Sequence, residues 1–291
     1  MSSETLAWTL DQLAQRRRVV LASVIQTSGS VPGKIGAKLA IAEGLEDFHG
    51  TVGGAGLEMK VLTRCREMLF EYWEPYGEIH TFGLNKSAKG YEVQPLDSLC
   101  GGRVTLSIEV IIPSPHVLMM GGGHCANALS SAINSLNWRH SVTDSRLEFC
   151  NSKTFPKASE LIHSSVQDFI EQETFDTIKR FSDILLLGHD WFEDQERLLG
   201  LLKICQQNDV VPDGKSFPRL GVIGSRSKWT SFSKIALDNN LKQELLDSVI
   251  CPIGINIGAE SPEEIAIAVA AQILSLHKGI SLDERNWRQN S

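Results

Sequence analysis

Residues 118–128 carry glycines at the spacing that nucleotide-binding proteins use. Gly121, Gly123 and Ala126 match the pattern G-x-G-x-x-G/A, between a segment typical of a buried strand and one typical of a helix. Such glycines permit a tight turn and a close backbone approach, and the N–H groups at the helix start can bind a phosphate. Asp144 ends the next predicted strand, where an acidic side chain would meet a ribose hydroxyl. The pattern predicts a site for a nucleotide or a pterin phosphate; the alternative is that the glycines only serve helix–strand packing.

A second strand–turn–helix segment, with the sequence GSRSK, places basic residues where a helix normally prefers acids. Gly224 precedes Ser225, which can cap the helix, and Arg226 and Lys228 follow in the first turn. Because the N-terminal end of a helix dipole is positive, two cations there make sense if an anion completes the site. We therefore predict that Arg226 and Lys228 hold an anion. The alternative is that both side chains point to solvent or pair with neighbouring acids.

Two histidines lie close to these turns. His124 stands in the first turn of the helix after the glycine pattern, from which it can contact a ligand, although such histidines are more often solvated surface groups. His189 follows the strand sequence DILLLG, with Asp190 beside it, at the carboxyl edge where open α/β sheets bind ligands. Their positions make both histidines candidates for a ligand site.

Three loops of small residues stand out in the first half of the chain, with the sequences GSVPGKIGA, GTVGGAGLE and CGG. Gly53 and Gly54 lead directly into a predicted helix, which again offers backbone donors to an anion. Cys100 is followed by Gly101 and Gly102, which have no side chains to shield its thiol. The alternatives are simple turns and, for the cysteine, a buried structural thiol.

The elements around these groups predict an α/β protein of two domains. The chain has 291 residues, about twice the usual size of one domain. Pro113 and Pro115 mark a boundary, since proline breaks helices and is disfavoured in central strands. Beyond it, strands alternate with helices, which predicts a C-terminal Rossmann-like, doubly wound parallel sheet over 116–278. A smaller N-terminal α+β domain is predicted over 1–112 and a loose tail over 279–291.

Some individual elements are predicted in detail. A first helix is expected over 5–18, a short strand over 50–52, and a helix over 123–137 whose inward face ends at Leu136. The final helix has the start signal Ser261-Pro262-Glu263-Glu264, with an N-cap serine and a proline at the first position. It is apolar nearly all round, so it is expected to be buried between layers or to lie at a subunit contact.

Charge and composition restrict the possible partners. The net charge is −7 and the pI is about 5.7, without a long basic run, which argues against binding nucleic acid or an anionic membrane through bulk charge. The six cysteines include no C-x-x-C pair, and no apolar run is long enough to span a bilayer. Without a secretory pattern at the start, we expect free thiols, a cytoplasmic location and no structural zinc site.

Taken in chain order, six segments resemble the XdhC/CoxI family, and the resemblance covers nearly the whole chain. The N-terminal segments GSVPGKIGAKLAI, GTVGGAGLE and CGGRV resemble the family's G-S-x-P-R-x-x-G-A, G-T-I-G-G-G-x-L-E and C-G-G-x-V. The C-terminal segments VLMMGGGHCANAL, LGVIGSRSK and CPIGINIGAESPEEIAIAVAAQIL resemble its G-A-G-H-V-G-x-A-L, I-G-x-I-G-S-R-x-K and C-P-I-G-L-x-I-G-x-x-x-P-E-E-I-A. The last two are long and specific.

The resemblance implies an accessory role. Proteins of this family bind the molybdenum cofactor, help to exchange its terminal oxygen for sulfur, and deliver it to molybdenum hydroxylases. For this chain it implies an insertion chaperone without turnover of its own. The ligand would be molybdopterin, in a mononucleotide or dinucleotide form. The partners would be a xanthine-dehydrogenase-type hydroxylase and a cysteine desulfurase, and we expect a homodimer.

The motifs and the resemblance together define the expected cofactor-binding residues. They are Gly29, Ser30, Gly53, Gly54, Glu58, Cys100, Gly101, Gly102, Gly121, Gly123, His124, Asp144, His189, Gly224, Ser225, Arg226 and Lys228. Cys100 is the candidate for contact with molybdenum or sulfur, because a thiolate is a soft ligand.

Two other functions remain open from the sequence. An NAD(P)-dependent oxidoreductase is favoured by the glycine pattern and Asp144, but the second half lacks a Lys, Tyr or His motif typical of hydride transfer. A sulfurtransferase is the other, with Cys100 as the persulfide carrier.

Overall fold

A computed structural model describes residues 2–84, 93–95, 101–188 and 190–280. It divides into two compact units, Met1–Pro113 and Ser114–Ser291. Cys100, His189 and residues 281–291 lie outside the described residues, so the expectations for them are not addressed by the structure. Within the described part, no helix has the length and apolar character needed to cross a membrane.

The first unit contains a six-stranded sheet, with neighbouring strands in the order β3-β2-β1-β6-β4-β5. All neighbours are antiparallel except β4 and β5. The elements are α1 Ser2–Ala14, β1 Val19–Ser28, β2 Lys38–Ala42, β3 Phe48–Gly50, α2 Ala55–Glu71, β4 Tyr76–Gly83, β5 Val93–Pro95 and β6 Arg103–Ile111. The sequence-based bounds were therefore wrong for the first helix, which ends four residues early, and for the short strand, which is shifted to Phe48–Gly50.

Helices cover both faces of this sheet, which explains the composition of β1. Val20, Ala22 and Val24 pack into the core that α2 completes. Val19 and Leu21 point to the other face, where they pack with residues of α1. Burial on both faces gives β1 a continuous apolar run rather than an alternation of apolar and polar residues.

The second unit is a five-stranded, fully parallel sheet with helices on both faces. Its strand order, β11-β10-β7-β8-β9, is the Rossmann order, so the predicted fold class is confirmed. Its strands are β7 His116–Met120, β8 Arg139–Asp144, β9 Glu160–His163, β10 Asp183–Leu186 and β11 Arg219–Val222. Its helices are α3 His124–Ser135, α4 Val166–Gln172, α5 Phe175–Ile178, α6 Trp191–Gln207, α7 Arg226–Asp238, α8 Gln243–Asp247 and α9 Pro262–Lys278, with a short 3-10 turn at Leu147–Phe149.

The start and burial of α9 and the end of α3 can be compared with the sequence-based predictions. The predicted start of α9 is confirmed, because Ser261 and Glu264 form a reciprocal capping box with Pro262 in the first turn. The expectation that α9 is buried between layers is wrong for one side, where Ile267 is exposed. Leu136 is also exposed rather than inward, since α3 ends at Ser135.

His140 on β8 is a buried titratable group of the second unit. Its side chain is fully buried, its Nε2 lies 2.9 Å from Ser130 Oγ, and its Nδ1 has no hydrogen-bond partner in the described structure. Burial lowers the pKa of His140 below 6.5, because the protonated ring loses solvation. The unfolded chain therefore takes up this proton first as the pH falls.

We expect the contribution of His140 to the free energy of unfolding to be fully present above pH 6.5 and to decrease below it, by up to about 1.4 kcal/mol per pH unit. Chemical denaturation at a series of pH values measures the slope. The variant His140→Gln should lose this contribution, whereas the same replacement at exposed His124 should keep it. Equal slopes in His140→Gln and the unmodified protein would contradict this assignment.

Candidate functional site

The glycine turn after β7 lies at the point where the strand order of the parallel sheet reverses. From β7 the chain passes to α3 on one face of the sheet. From the neighbouring strand β10 it passes to α6 on the other face. Gly121 has φ +110°, and a Cβ on it would lie 2.8 Å from the Cα of Gly188, in the loop after β10. The first glycine is therefore required both by its backbone conformation and by the contact between the two loops.

Gly123 is the glycine of the turn that has free space beside its backbone. It is the N-cap of α3 in an extended conformation, φ −72°, with no side-chain cap on the helix, and a Cβ on it would meet nothing within 4 Å. The neighbouring Gly122 has no room for a side chain, because a Cβ there would clash with the carbonyl oxygen of Phe149. Ala126 is fully buried at the third pattern position and His124 is exposed at the first residue of α3. An uncapped helix start beside open space can accept an anion.

Asp144 is buried at the end of β8 and supports the glycine turn. Its Oδ2 accepts hydrogen bonds from Gly122 N at 2.8 Å and Arg146 Nη2 at 2.9 Å, and its Oδ1 accepts from Arg146 N and Nε, each at 2.9 Å. Burial raises the pKa of Asp144, but these hydrogen bonds outweigh it and the pKa lies below the usual value. A carboxylate has about four acceptor positions, and these four bonds use them.

The predicted contact of Asp144 with a ribose stays a prediction, since the described structure gives the carboxylate other partners. The carboxylate instead joins the glycine turn to the segment after β8, where the Arg146 guanidinium lies 4.0 Å from the ring centre of Phe149. A ribose hydroxyl would have to displace Arg146 or Gly122 N–H from it. Asp144 is thus a positioning residue for the turn.

The GSRSK turn before α7 places its two basic side chains in different surroundings. Ser225 caps the helix by accepting a hydrogen bond from Lys228 N at 3.3 Å, and Arg226 is exposed at the first helical residue. The Lys228 ammonium, in contrast, lies 2.8 Å from Asp194 Oδ2 and 3.2 Å from Ile223 O. Lys228 is thus paired with an acid, which is the alternative that the sequence left open for it, and the binding of an anion by Arg226 and Lys228 stays a prediction.

A buried charge network, missed by the sequence analysis, holds these loops. Asp194 is completely buried and contacts both Lys228 and Arg197, with Asp194 Oδ1 3.2 Å from Arg197 Nη1. Arg197 Nη2 donates to Glu193 Oε2 at 2.9 Å, and Glu193 Oε1 accepts from Ser145 Oγ at 2.7 Å. The network thus connects the segments that follow β8, β10 and β11.

The sequence of the loop after β10 and of α6 gives little sign of this network. Gly188 is needed there, because a Cβ on it would clash with Asp194 Oδ1. Asp190, predicted with His189 as a site element, caps α6 by accepting from Phe192 N at 2.8 Å and Glu193 N at 3.0 Å. Acids and arginine at helical spacing in α6 are typical of a solvated face, and only Gly188 signals the close packing.

In the first unit, the three small-residue loops converge. A Cβ on Gly29, φ +70°, would lie 3.0 Å from the Cα of Gly102, and one on Gly53, φ +94°, would lie 2.4 Å from the backbone N of Gly33. A Cβ on Gly102 would lie 2.7 Å from the carbonyl oxygen of Ser30. Only glycines allow these approaches, so the loops form one continuous backbone surface.

The same surface includes the start of α2. Gly54, φ +86°, is the N-cap without a side-chain cap, and Glu58 in the first turn accepts a hydrogen bond from Thr51 Oγ1. Gly53 N donates to that same hydroxyl at 3.1 Å. Gly101 is exposed with open space around its Cα. Apart from Cys100, the N-terminal residues predicted to bind a cofactor are therefore neighbours.

The described cysteines offer little thiolate, and metal clusters are absent from the described part of the chain. No group of three or more His, Cys, Asp or Glu side chains there could hold a metal ion. Burial raises the pKa of Cys65 and of Cys205 to about 12. Cys65 lies in the hydrophobic core of the first unit.

Comparison with known proteins agrees with these two units. Residues 117–273 match the family described as the XdhC Rossmann domain, and residues 12–72 match the XdhC and CoxI family. The chain is 27% identical over 256 residues to the uncharacterized protein YqeB of Escherichia coli, covering 88% of the chain and 43% of that protein. It is 26% identical over 175 residues to a probable xanthine dehydrogenase subunit of Bacillus subtilis, covering 60% of the chain and 47% of that protein.

The chain thus spans less than half the length of these two relatives. Among solved structures, a xanthine dehydrogenase from Bacillus halodurans aligns with 97% of this chain and 98% of its own, at 19% identity and a TM-score of 0.46. Because the XdhC Rossmann domain match alone extends over more than half of the residues, the chain belongs to the XdhC family.

Proposed function

We propose that this chain is an accessory protein that binds the molybdenum cofactor, protects it and delivers it to a molybdenum hydroxylase of the xanthine dehydrogenase type. Family membership supports this, as does a relative that carries the name of a xanthine dehydrogenase subunit. The cofactor is cargo in this proposal, so the chain needs binding and release rather than turnover.

The observation that carries the proposal is the open helix start at Gly123. Molybdopterin ends in a phosphate, in some forms extended by a nucleotide, and the uncapped N-terminus of α3 offers N–H groups and a positive dipole end to such a group. The absence of any obstacle near a Cβ at Gly123 leaves room for a phosphate close to the backbone. The residues present therefore fit the phosphate end of the cargo.

The surrounding residues would position this site. Asp144 fixes the glycine turn through Gly122 N–H, and the Asp194 network fixes the turn before α7 through Lys228. Only β10 separates β7 from β11, so the ends of these strands are roughly 10 Å apart. Arg226, exposed at the start of α7, would supply the cation for a second charged group of the same ligand.

The glycine loops of the first unit would form a binding surface of their own, with backbone donors and a thiol. Gly29, Gly53 and Gly102 bring three loops together beside the uncapped start of α2. We assign to Cys100 the contact with molybdenum or its sulfur, because a thiolate is a soft ligand. Assistance in sulfuration, with a cysteine desulfurase as sulfur donor, is the extension of this proposal.

The NAD(P)-dependent oxidoreductase is the second candidate, and the glycine pattern favours it. The hydrogen bonds that already occupy the acceptor positions of Asp144 argue against an oxidoreductase. A dinucleotide fold normally uses this carboxylate to hold the ribose diol. We therefore expect NADH to bind much more weakly than a molybdopterin species.

Calorimetry with the full chain tests the two candidates directly. Molybdopterin should bind at micromolar affinity or better, which is about −8 kcal/mol, whereas NADH should give no measurable heat at the same concentrations. Tight NADH binding with substrate-dependent oxidation would overturn the carrier proposal. Molybdenum and phosphate analysis of protein purified from cells that make the cofactor gives an independent measurement.

Arg226→Ala should weaken molybdopterin binding by about 1.5–3 kcal/mol, because a charge-assisted hydrogen bond is lost. The free energy of unfolding should be unchanged or slightly higher, since a positive charge leaves the positive end of α7. Lys234→Ala, in the same helix but about two turns from its start, is the control and should bind normally. Normal affinity together with a lower melting temperature in Arg226→Ala would identify the arginine as structural.

A further inference from the structure

We propose that one side of α9 is the contact between two copies of this chain, packed antiparallel. This side, the α9 stripe, consists of Glu263, Ile267, Ala271, Leu274 and Lys278. Spacings of three and four residues place all five on one face of the helix. Ile267 is 60% exposed and Leu274 is 38% exposed, so the middle of the stripe presents apolar surface.

The apolar middle of the stripe is separate from the surface that α9 uses within its own unit. Ala266, Val269 and Ile273 are buried in the core that α9 shares with α3. Ala268 is covered by the preceding loop, where Ile255 N donates to Ala268 O at 3.2 Å. The core of the unit therefore does not need the exposed stripe.

The order of residues along the stripe makes it complementary to itself. Glu263 and Lys278 are equally far from the middle of the stripe, and so are Ile267 and Leu274. An antiparallel copy would place Ile267 against Leu274 and Glu263 against Lys278, twice each by symmetry. The small Ala271 lies close to the two-fold axis, where the helices approach most closely.

The charges select this arrangement over the alternative. A parallel copy would place Glu263 against Glu263 and Lys278 against Lys278, and would align the two helix dipoles unfavourably. Exposed ion pairs contribute little to affinity, but like charges in contact are unfavourable. The apolar residues thus supply the attraction, and the two charges fix the direction of the helices.

The molar mass of the full chain in solution, measured by light scattering or sedimentation, tests this contact. We expect a dimer at micromolar concentrations, and Leu274→Glu should raise its dissociation constant at least roughly 30-fold, because two carboxylates would face apolar surface. Leu276→Glu is a closely matched control, since Leu276 is also 38% exposed on the same helix but lies outside the stripe. That control should remain dimeric.

Charge exchange tests the direction of packing without changing the apolar residues. Glu263→Lys alone should weaken the dimer, and adding Lys278→Glu should restore it. The proposal is overturned by a monomeric full chain, by equal effects of Leu274→Glu and Leu276→Glu, or by a double variant no stronger than Glu263→Lys. Circular dichroism of every variant separates loss of folding from loss of the contact.

Discussion

Gly123→Asp is expected to reduce molybdopterin binding at least about 100-fold while leaving the protein as stable as before or slightly more stable. The backbone at Gly123 is extended and open, so an aspartate fits without strain. Its carboxylate would accept hydrogen bonds from the first turn of α3 and add up to about 1 kcal/mol of stability. The same carboxylate would occupy the phosphate position and repel an anionic ligand.

Gly123→Asn separates charge from size in this experiment. Asparagine has nearly the same shape and caps a helix equally well, but it carries no charge. We expect it to lose less than about tenfold in affinity, because a neutral cap can be displaced by a phosphate. Equal losses in the two variants would indicate a steric effect, and normal binding by Gly123→Asp would place the phosphate away from α3. Calorimetry and thermal unfolding of both variants provide the measurements.

Asp194→Ala is expected to lower the free energy of unfolding by about 3–5 kcal/mol, because it leaves Arg197 and Lys228 without their shared buried carboxylate. Chemical denaturation measures this loss. Asp176→Ala is the control, since Asp176 is exposed and its nearest cation is 4.0 Å away, so its replacement should change stability by less than about 0.5 kcal/mol.

A double-mutant cycle locates the effect within the network. If Lys228 is destabilising once Asp194 is absent, then adding Lys228→Met to Asp194→Ala should recover part of the lost stability. Ligand binding should weaken in Asp194→Ala as well, because the turns before α6 and α7 lose their common anchor. A loss below about 1 kcal/mol in Asp194→Ala would show that water enters and solvates the remaining cations.

Structural features that are set by residues close together along the chain were predictable from the sequence. The capping box at Ser261, the glycine turn at Gly121 and the buried strand β7 all follow from local backbone preferences and short-range patterns. The alternation of strands and helices likewise predicted the parallel sheet of the second unit. Strand β4 was not predicted, because its partly exposed sequence YGEIHTFG has no clear alternation and it is held by pairing with β6.

The sequence by itself determined which turns lead into an uncapped helix start, since glycine spacing and a following helix are enough to create one. The tertiary structure alone decided which charged side chains remain available beside those turns. Lys228 is paired with Asp194, 34 residues earlier in the chain, and Asp144 is enclosed by Arg146 and Gly122. Strand order sets such pairings by bringing distant loops to one edge of the sheet, and the spacing of residues along the chain carries no record of that order.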